Sequence, residues 1–347
     1  MDLNEFKNRI KTENLAGWYI FAGEEDYLKK YYLTTLRKSV VVDETFLPFN
    51  LTTFDGLDVD FDAMREAIEA PPMMSDYKLI EWKYANLDSL KEREKDALFS
   101  LMALKELYPS AIVAILATSD GFDMGTEKRP SKLKTKLSEG FDILTLDRST
   151  DSQLLGWLKK HFDSEGISVD APTLNALLFR AGRSMEILNN EVIKLSSYAK
   201  SQNKASVSIQ DVEEISSSST ECDAFALSNA VTEKDLNKAL AALTDLKMRR
   251  VDPSYVIAML GRTYSELMSV SLMLDEGKSS KDIETLLRLH PFKAKLAIAS
   301  AKRLGSKKIA HSLDTLRRLD GSSKSGGLSG YGVIEIFIMS EIPKSQI

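Results

Sequence analysis

The chain predicts an α/β domain built on a mainly parallel sheet, followed by two all-α domains, and three observations carry that expectation. Up to about residue 148, short apolar runs alternate with helix-period stretches, the pattern of successive βαβ units. After Arg148 the strand-like runs stop and apolar residues recur at helical spacing. At 347 residues the chain is also too long for one compact core and calls for two or three domains.

The elements follow in order. Residues 18–22, apolar, aromatic and bracketed by Gly17 and Gly23, read as a buried strand, and helical spacing begins at Asp26. Further strands are expected at 49–54, 78–82, 112–118 and 143–146, with helices near 25–40, 61–70, 90–107 and 131–138. In 152–162 the apolar residues at 154, 155, 157, 158 and 162 form a helical stripe, closed by Ser164-Glu165-Gly166. Helices at 171–180 and 184–200 follow, with a short third at 209–215. The serine run 216–219 reads as a linker. From Cys222 onward five or six helical segments are expected, separated at Val251-Asp252-Pro253, Glu276-Gly277, His290-Pro291, Gly305-Ser306 and Gly321-Ser322-Ser323. The expected domains are therefore 1–148, 149–215 and 220–347.

Composition narrows the function. With 43% hydrophobic and 28% charged residues and a net charge of −5, the chain is neither fibrous nor a dedicated basic nucleic-acid binder. Cys222 is the only cysteine, and His161, His290 and His311 are scattered, so neither a disulfide nor a Cys/His metal site is expected. The first fourteen residues are polar and charged, and no apolar run reaches about 18 residues, so no signal peptide, no membrane span and a cytoplasmic protein are expected.

The segment Gly17-Trp18-Tyr19-Ile20-Phe21-Ala22-Gly23-Glu24-Glu25-Asp26-Tyr27-Leu28-Lys29-Lys30 has the strand–turn–helix order of a phosphate-binding loop without its chemistry. A working G-x-x-x-x-G-K-[ST] loop uses bare amides for phosphate, the lysine for the terminal phosphates and the hydroxyl for magnesium. Aligned on Gly23, Leu28 replaces the second glycine, Lys29 keeps the lysine and Lys30 replaces the hydroxyl residue. Glu24, Glu25 and Asp26 place carboxylates where an anion would sit. An ordinary strand–turn–helix with an acidic helix N-terminus would have the same composition. Strand 78–82 offers Glu81 and then Lys83 instead of a paired acid for magnesium, and no arginine-finger string follows 112–118. No catalytic constellation and no cofactor are expected.

Basic residues gather twice. Lys128, Arg129, Lys132, Lys134 and Lys136 surround a polar loop and a helix start, and 288–324 holds ten Lys/Arg against Asp314 and Asp320. Both could face phosphate backbone, with solvated helix faces as the plain alternative.

Several strings in order resemble the delta subunit of the bacterial replicative clamp loader, part of the DNA polymerase III holoenzyme. They are Gly23, Glu25 and Leu28 in a G-x-E-x-x-L turn, and Gly182 before Asn190-Glu191 and Lys194-Leu195. Ile209 with Asp211-Val212, then Phe225, Pro291-Phe292 and Asp320 to Lys324, continue the series over nearly the full chain. The resemblance implies an AAA+-like (RecA-like) N-terminal domain that has lost ATP binding, a lid-like middle domain and a C-terminal collar domain. It implies a hetero-pentamer with gamma/tau and delta prime subunits, a sliding clamp (beta) opened by this chain, and primer-template DNA within the assembly. The family grips the clamp with an exposed hydrophobic pair between a helix and the next strand. Here Pro71-Pro72-Met73-Met74 occupies that place, so the pair falls on Met73 and Met74, a departure from the usual Leu-Phe or Phe-Phe. Pro71 and Pro72 stiffen the tip, and methionine adapts to a preformed groove. A helical adaptor of another ATPase ring, and a weak nucleotide hydrolase using Lys29, are the other readings.

Overall fold

The structure, a computed structural model, describes residues 1–41, 44–56, 59–289, 291–324 and 330–342. It divides into two compact units, Met1–Ser149 and Thr150–Ile347.

The first unit runs α1 (Leu3–Lys11), β1 (Trp18–Ala22), α2 (Asp26–Val40), α3 (Leu47–Asn50), β2 (Leu51–Asp55), α4 (Phe61–Glu69), β3 (Lys78–Ala85) and α5 (Glu92–Met102). It continues with β4 (Ala111–Ala117), a small hairpin β5 (Gly125–Thr126) and β6 (Arg129–Pro130), α6 (Lys132–Leu137) and β7 (Asp142–Thr145). Five strands form one parallel sheet in the order β2-β3-β4-β1-β7, with Ile20 opposite both Ile115 and Ile143. Both faces are covered, which is why β1 and β4 are apolar without alternation.

Side-chain parity divides each run between two cores. Trp18, Ile20 and Ala22 face one side with Val113, Ile115 and Ile80, under Met64 and Ile68 of α4 and Leu98 and Leu101 of α5. Tyr19 and Phe21 face the other with Ile112, Ala114 and Leu116, under Leu33 and Leu36 of α2. Helix α1, not expected from the sequence, supplies Phe6 to this second core, where its ring lies edge-on to Tyr19, Phe21 and Tyr32 at 5.4–5.9 Å. Leu3, Phe6 and Ile10 stand at helical spacing and pack against this core, an amphipathic stripe that was present in the sequence.

The second unit is α7 (Asp151–Ser164), β8 (Ser168–Val169), α8 (Ala171–Ala181), α9 (Met185–Ser201), β9 (Ser206–Val207) and α10 (Ile209–Ile215), then, among the described residues, six further helices. These are α11 (Thr220–Glu233), α12 (Leu236–Met248), α13 (Pro253–Asp275), α14 (Ser280–Leu287), α15 (Pro291–Lys324) and α16 (Tyr331–Glu341). Three expectations need correction. Strands do not stop at Arg148, because β8 and β9 pair in parallel, two residues each and too short to show a period. The serine run is pinned: Ser216 is buried, its carbonyl accepts from Arg180 Nε at 3.1 Å, and Ser219 donates its amide to the Arg180 carbonyl at 2.7 Å. The helix does not break at Gly321 but runs on to Lys324, whereas Gly305, at φ +74°, does interrupt α15. His290, at another expected break, lies outside the described residues, as do the side chains of Pro291, Phe292 and Ser323.

Candidate functional site

In a parallel sheet with helical crossovers, the loops entering the strands share one end and the loops leaving them share the other. Gly23 leaves β1, Ala117 ends β4 and Leu146 follows β7, so the degenerate loop lies at the carboxyl end. The connections 70–77 into β3 and α3 into β2 lie at the amino end.

At the carboxyl end the loop is closed on the protein. Gly23 has φ +104°, and a Cβ there would meet the Leu146 carbonyl oxygen at 2.4 Å, so only glycine fits. The Glu25 amide, of the kind a phosphate would need, donates to that same carbonyl at 2.9 Å, while Leu146 donates to the Ala22 carbonyl at 2.8 Å. Burial raises the Glu25 carboxyl above its ordinary range. Lys29 is fully buried; its ammonium donates to the Ala117 carbonyl at 2.8 Å and pairs with Asp26 at 2.8 Å. Leu28 packs partly buried against the α2 side of the sheet, and Lys30 is exposed. Arg148 meets Glu24 at 3.0 Å. Glu81, the lone acid of β3, is fully buried and held by two bonds from Arg37, at 2.7 and 2.5 Å, with Lys83 at 3.5 Å. That hydrogen-bonded carboxylate raises the Arg37 guanidinium above its ordinary value.

The amino end is arranged differently. Pro71 and Pro72 stop α4, and the chain turns through Met73 and Met74, which are 46% and 80% exposed, while Pro72 is half-buried. Met74 sits at φ +52°, a left-handed conformation that costs a non-glycine residue about 1 kcal/mol. The turn is held from three sides. Asn50, fully buried, accepts from the Met73 amide and donates to the Met73 carbonyl, both at 2.7 Å. Lys78, buried, donates to the Ala67 and Ala70 carbonyls and so ties off the last turn of α4. Its ammonium has lost water there, and desolvation brings its pKa down to about 8. Ser75 Oγ donates to the Val40 carbonyl at 3.4 Å.

Sequence reasoning missed Asn50, Lys78 and Phe49. It assigned Phe49 to a strand at 49–54, but β2 starts at Leu51, and Phe49 stands 60% exposed on the one-turn helix α3. Pro48 in the first turn of α3 was the available signal, since proline favours a helix start over a central strand.

The basic residues lie elsewhere. Lys128 turns the β5–β6 hairpin, also missed because each strand has two residues, and Lys132, Lys134 and Lys136 follow on α6, with Lys136 paired to Glu139 at 2.5 Å. On α15, Lys293 pairs with Glu266, Lys308 with Glu341, and Arg317 and Arg318 with Asp314, at 2.8–3.2 Å. Among the described residues no helix is long and apolar enough to cross a membrane, and no group of His, Cys, Asp and Glu could hold a metal ion. Cys222 is buried, and burial raises its thiol to about 11.

Comparison with known proteins agrees with this architecture. Residues 19–138 match the family described as DNA polymerase III, delta subunit, and residues 221–340 match the DNA polymerase III delta subunit, C-terminal domain. The chain belongs to the DNA polymerase III delta-subunit family. Among its relatives is DNA polymerase III subunit delta of Bacillus subtilis, 20% identical over 341 residues, 97% of this chain and 96% of that protein. The solved structure of the Bacillus subtilis DNA clamp loader delta protein shares the fold, with a TM-score of 0.56 at 19% identity, covering 98% of this chain and 99% of that one. The parallel sheet followed by helical segments is the arrangement expected from the sequence, and it is shared with that structure.

Proposed function

We propose that the chain is the non-catalytic delta subunit of a clamp loader, binding and opening a sliding clamp for loading onto primed DNA. The observation that carries this is the tip of Met73 and Met74: apolar, exposed, and fixed by buried polar groups that make no other use of it. Burying two methionine side chains offers roughly 3–6 kcal/mol gross, and a preformed tip loses little of it to ordering. The closed carboxyl end supports a subunit without its own ATPase, dependent on neighbours for hydrolysis.

In this proposal 149–215 is the lid-like domain, and 220–347 is the collar that joins the gamma/tau and delta prime subunits in the cytoplasm. Lys132, Lys134 and Lys136, and the basic segment 288–324, are the candidates for contact with primer-template DNA.

The test is direct binding of the purified chain to its cognate sliding clamp, with clamp release from circular DNA as the readout of opening. A complex at micromolar concentration or below, with accelerated release, is the expected result. Failure to bind the clamp at tens of micromolar would remove the proposal.

A further inference from the structure

Phe49 stands 60% exposed on α3, next in the chain to the asparagine that holds the methionine tip. Its neighbour Asn50 bonds both the amide and the carbonyl of Met73, which brings the Cα of Phe49 within roughly 11 Å of that of Met73. On α3, Leu47 and Asn50 turn inward, leaving Pro48 and Phe49 exposed. The two segments, 47–50 and 70–75, contain three prolines, a phenylalanine, two methionines and no charged residue. Ten residues of a chain that is 28% charged would ordinarily carry about three charges, so this end is unsuited to a polyanion and suited to an apolar protein cleft.

Taking Met73 and Met74 as clamp-contacting, we infer that the contact is a three-side-chain surface, in which Phe49 enters the same apolar cleft of the clamp and Asn50 joins its two segments into one rigid body. The inference rests on that assignment of the methionines and extends it to a residue on a different element. An aromatic ring brings more area than a methionine with fewer rotors to immobilise, and such rings are over-represented among residues that dominate interfaces. Because Asn50 already fixes the spacing between the two segments, the ring and the methionines engage together.

The full chain and its cognate clamp are titrated by calorimetry with four proteins: wild type, Phe49→Ala, Phe49→Leu, and the double variant Met73→Ala/Met74→Ala. Phe49→Ala is expected to weaken binding about tenfold and Phe49→Leu less than threefold, each melting within a degree or two of wild type because the side chain is already exposed. If Phe49→Ala stays within twofold while the double methionine variant loses 30-fold or more, Phe49 is a bystander and the methionine assignment stands. If neither variant changes affinity, both fall.

Discussion

The two ends of the parallel sheet solve opposite problems with the same kind of interaction. At the carboxyl end, buried hydrogen bonds consume the groups a ligand would need: Leu146 takes the Glu25 amide, and Ala117 and Asp26 take the Lys29 ammonium. At the amino end, Asn50 and Lys78 consume only backbone groups of the turn, and the apolar side chains are left out. A buried polar group must be satisfied wherever it lies. Which side chains remain over once that is done separates an end whose polar groups are already paired from one whose apolar side chains stay exposed.

The sharpest contrast is between substituting a residue that seals and one that projects. Gly23→Ala is expected to destabilise the chain by about 3–5 kcal/mol, since a Cβ would strike the Leu146 backbone and φ +104° is strained for alanine. Denaturant melts measure this directly. Wild-type stability in the variant would mean that the loop relaxes freely and the carboxyl end is not sealed.

Met73→Ala/Met74→Ala makes the opposite trade. Clamp affinity should fall by about 100-fold, from losing about 3 kcal/mol of burial at an interface centre, with the melting temperature almost unchanged. Core methionines would behave the other way, losing about 2–5 kcal/mol each when truncated. An unaltered affinity with a large fall in melting temperature would return both residues to the core.

The sealed end was legible in the sequence and the projecting end only half so. Strand β1 and helix α2 were expected within a residue of their observed limits, because a run of five buried residues between glycines and a helical stripe are both strong local signals. The departure of this loop from a working phosphate-binding sequence was legible from Leu28, Lys30 and the three acids. The bonds that close the loop were not, because they join residues 25 and 146, and 29 and 117, far apart in the chain. Met73 and Met74 were identified through the family resemblance. Their exposure, the Asn50 strap and Phe49 depend on which loops share a sheet end, a property of topology. The hairpin failed to show because strands of two residues are too short for a period, whereas the Leu3, Phe6 and Ile10 stripe of α1 was there to be read.

Lys29→Ala sharpens the reading of the sealed end. If Lys29 serves only the fold, the substitution leaves the Ala117 carbonyl unpaired and opens a small cavity, a loss of about 2 kcal/mol. ATP should show no saturable binding to either wild type or variant in equilibrium titrations. Micromolar ATP binding to wild type, abolished in the variant, would restore a nucleotide role to this end.

The smallest effect expected is at Lys78, which holds the projecting end, and its sign follows from linkage. Desolvation lowers its pKa to about 8 in the folded chain from 10.5 when unfolded. Between those values the unfolded chain binds more protons, so the contribution of Lys78 to stability rises as pH increases from about 8 to 10.5. Below pH 8 the folded chain carries the full burden of burying a cation, offset by its bonds to Ala67 and Ala70. Lys78→Met removes both the cation and the bonds. The stability advantage of wild type over the variant should therefore widen between pH 7.5 and pH 9.5, by no more than about 1 kcal/mol because residual solvent screens the ammonium. Tyrosine ionisation acts on both proteins alike and cancels in the difference. An advantage that is flat or narrows with pH would mean that Lys78 keeps an ordinary pKa, and that the last turn of α4 is held by a solvated ammonium and not by a buried strap.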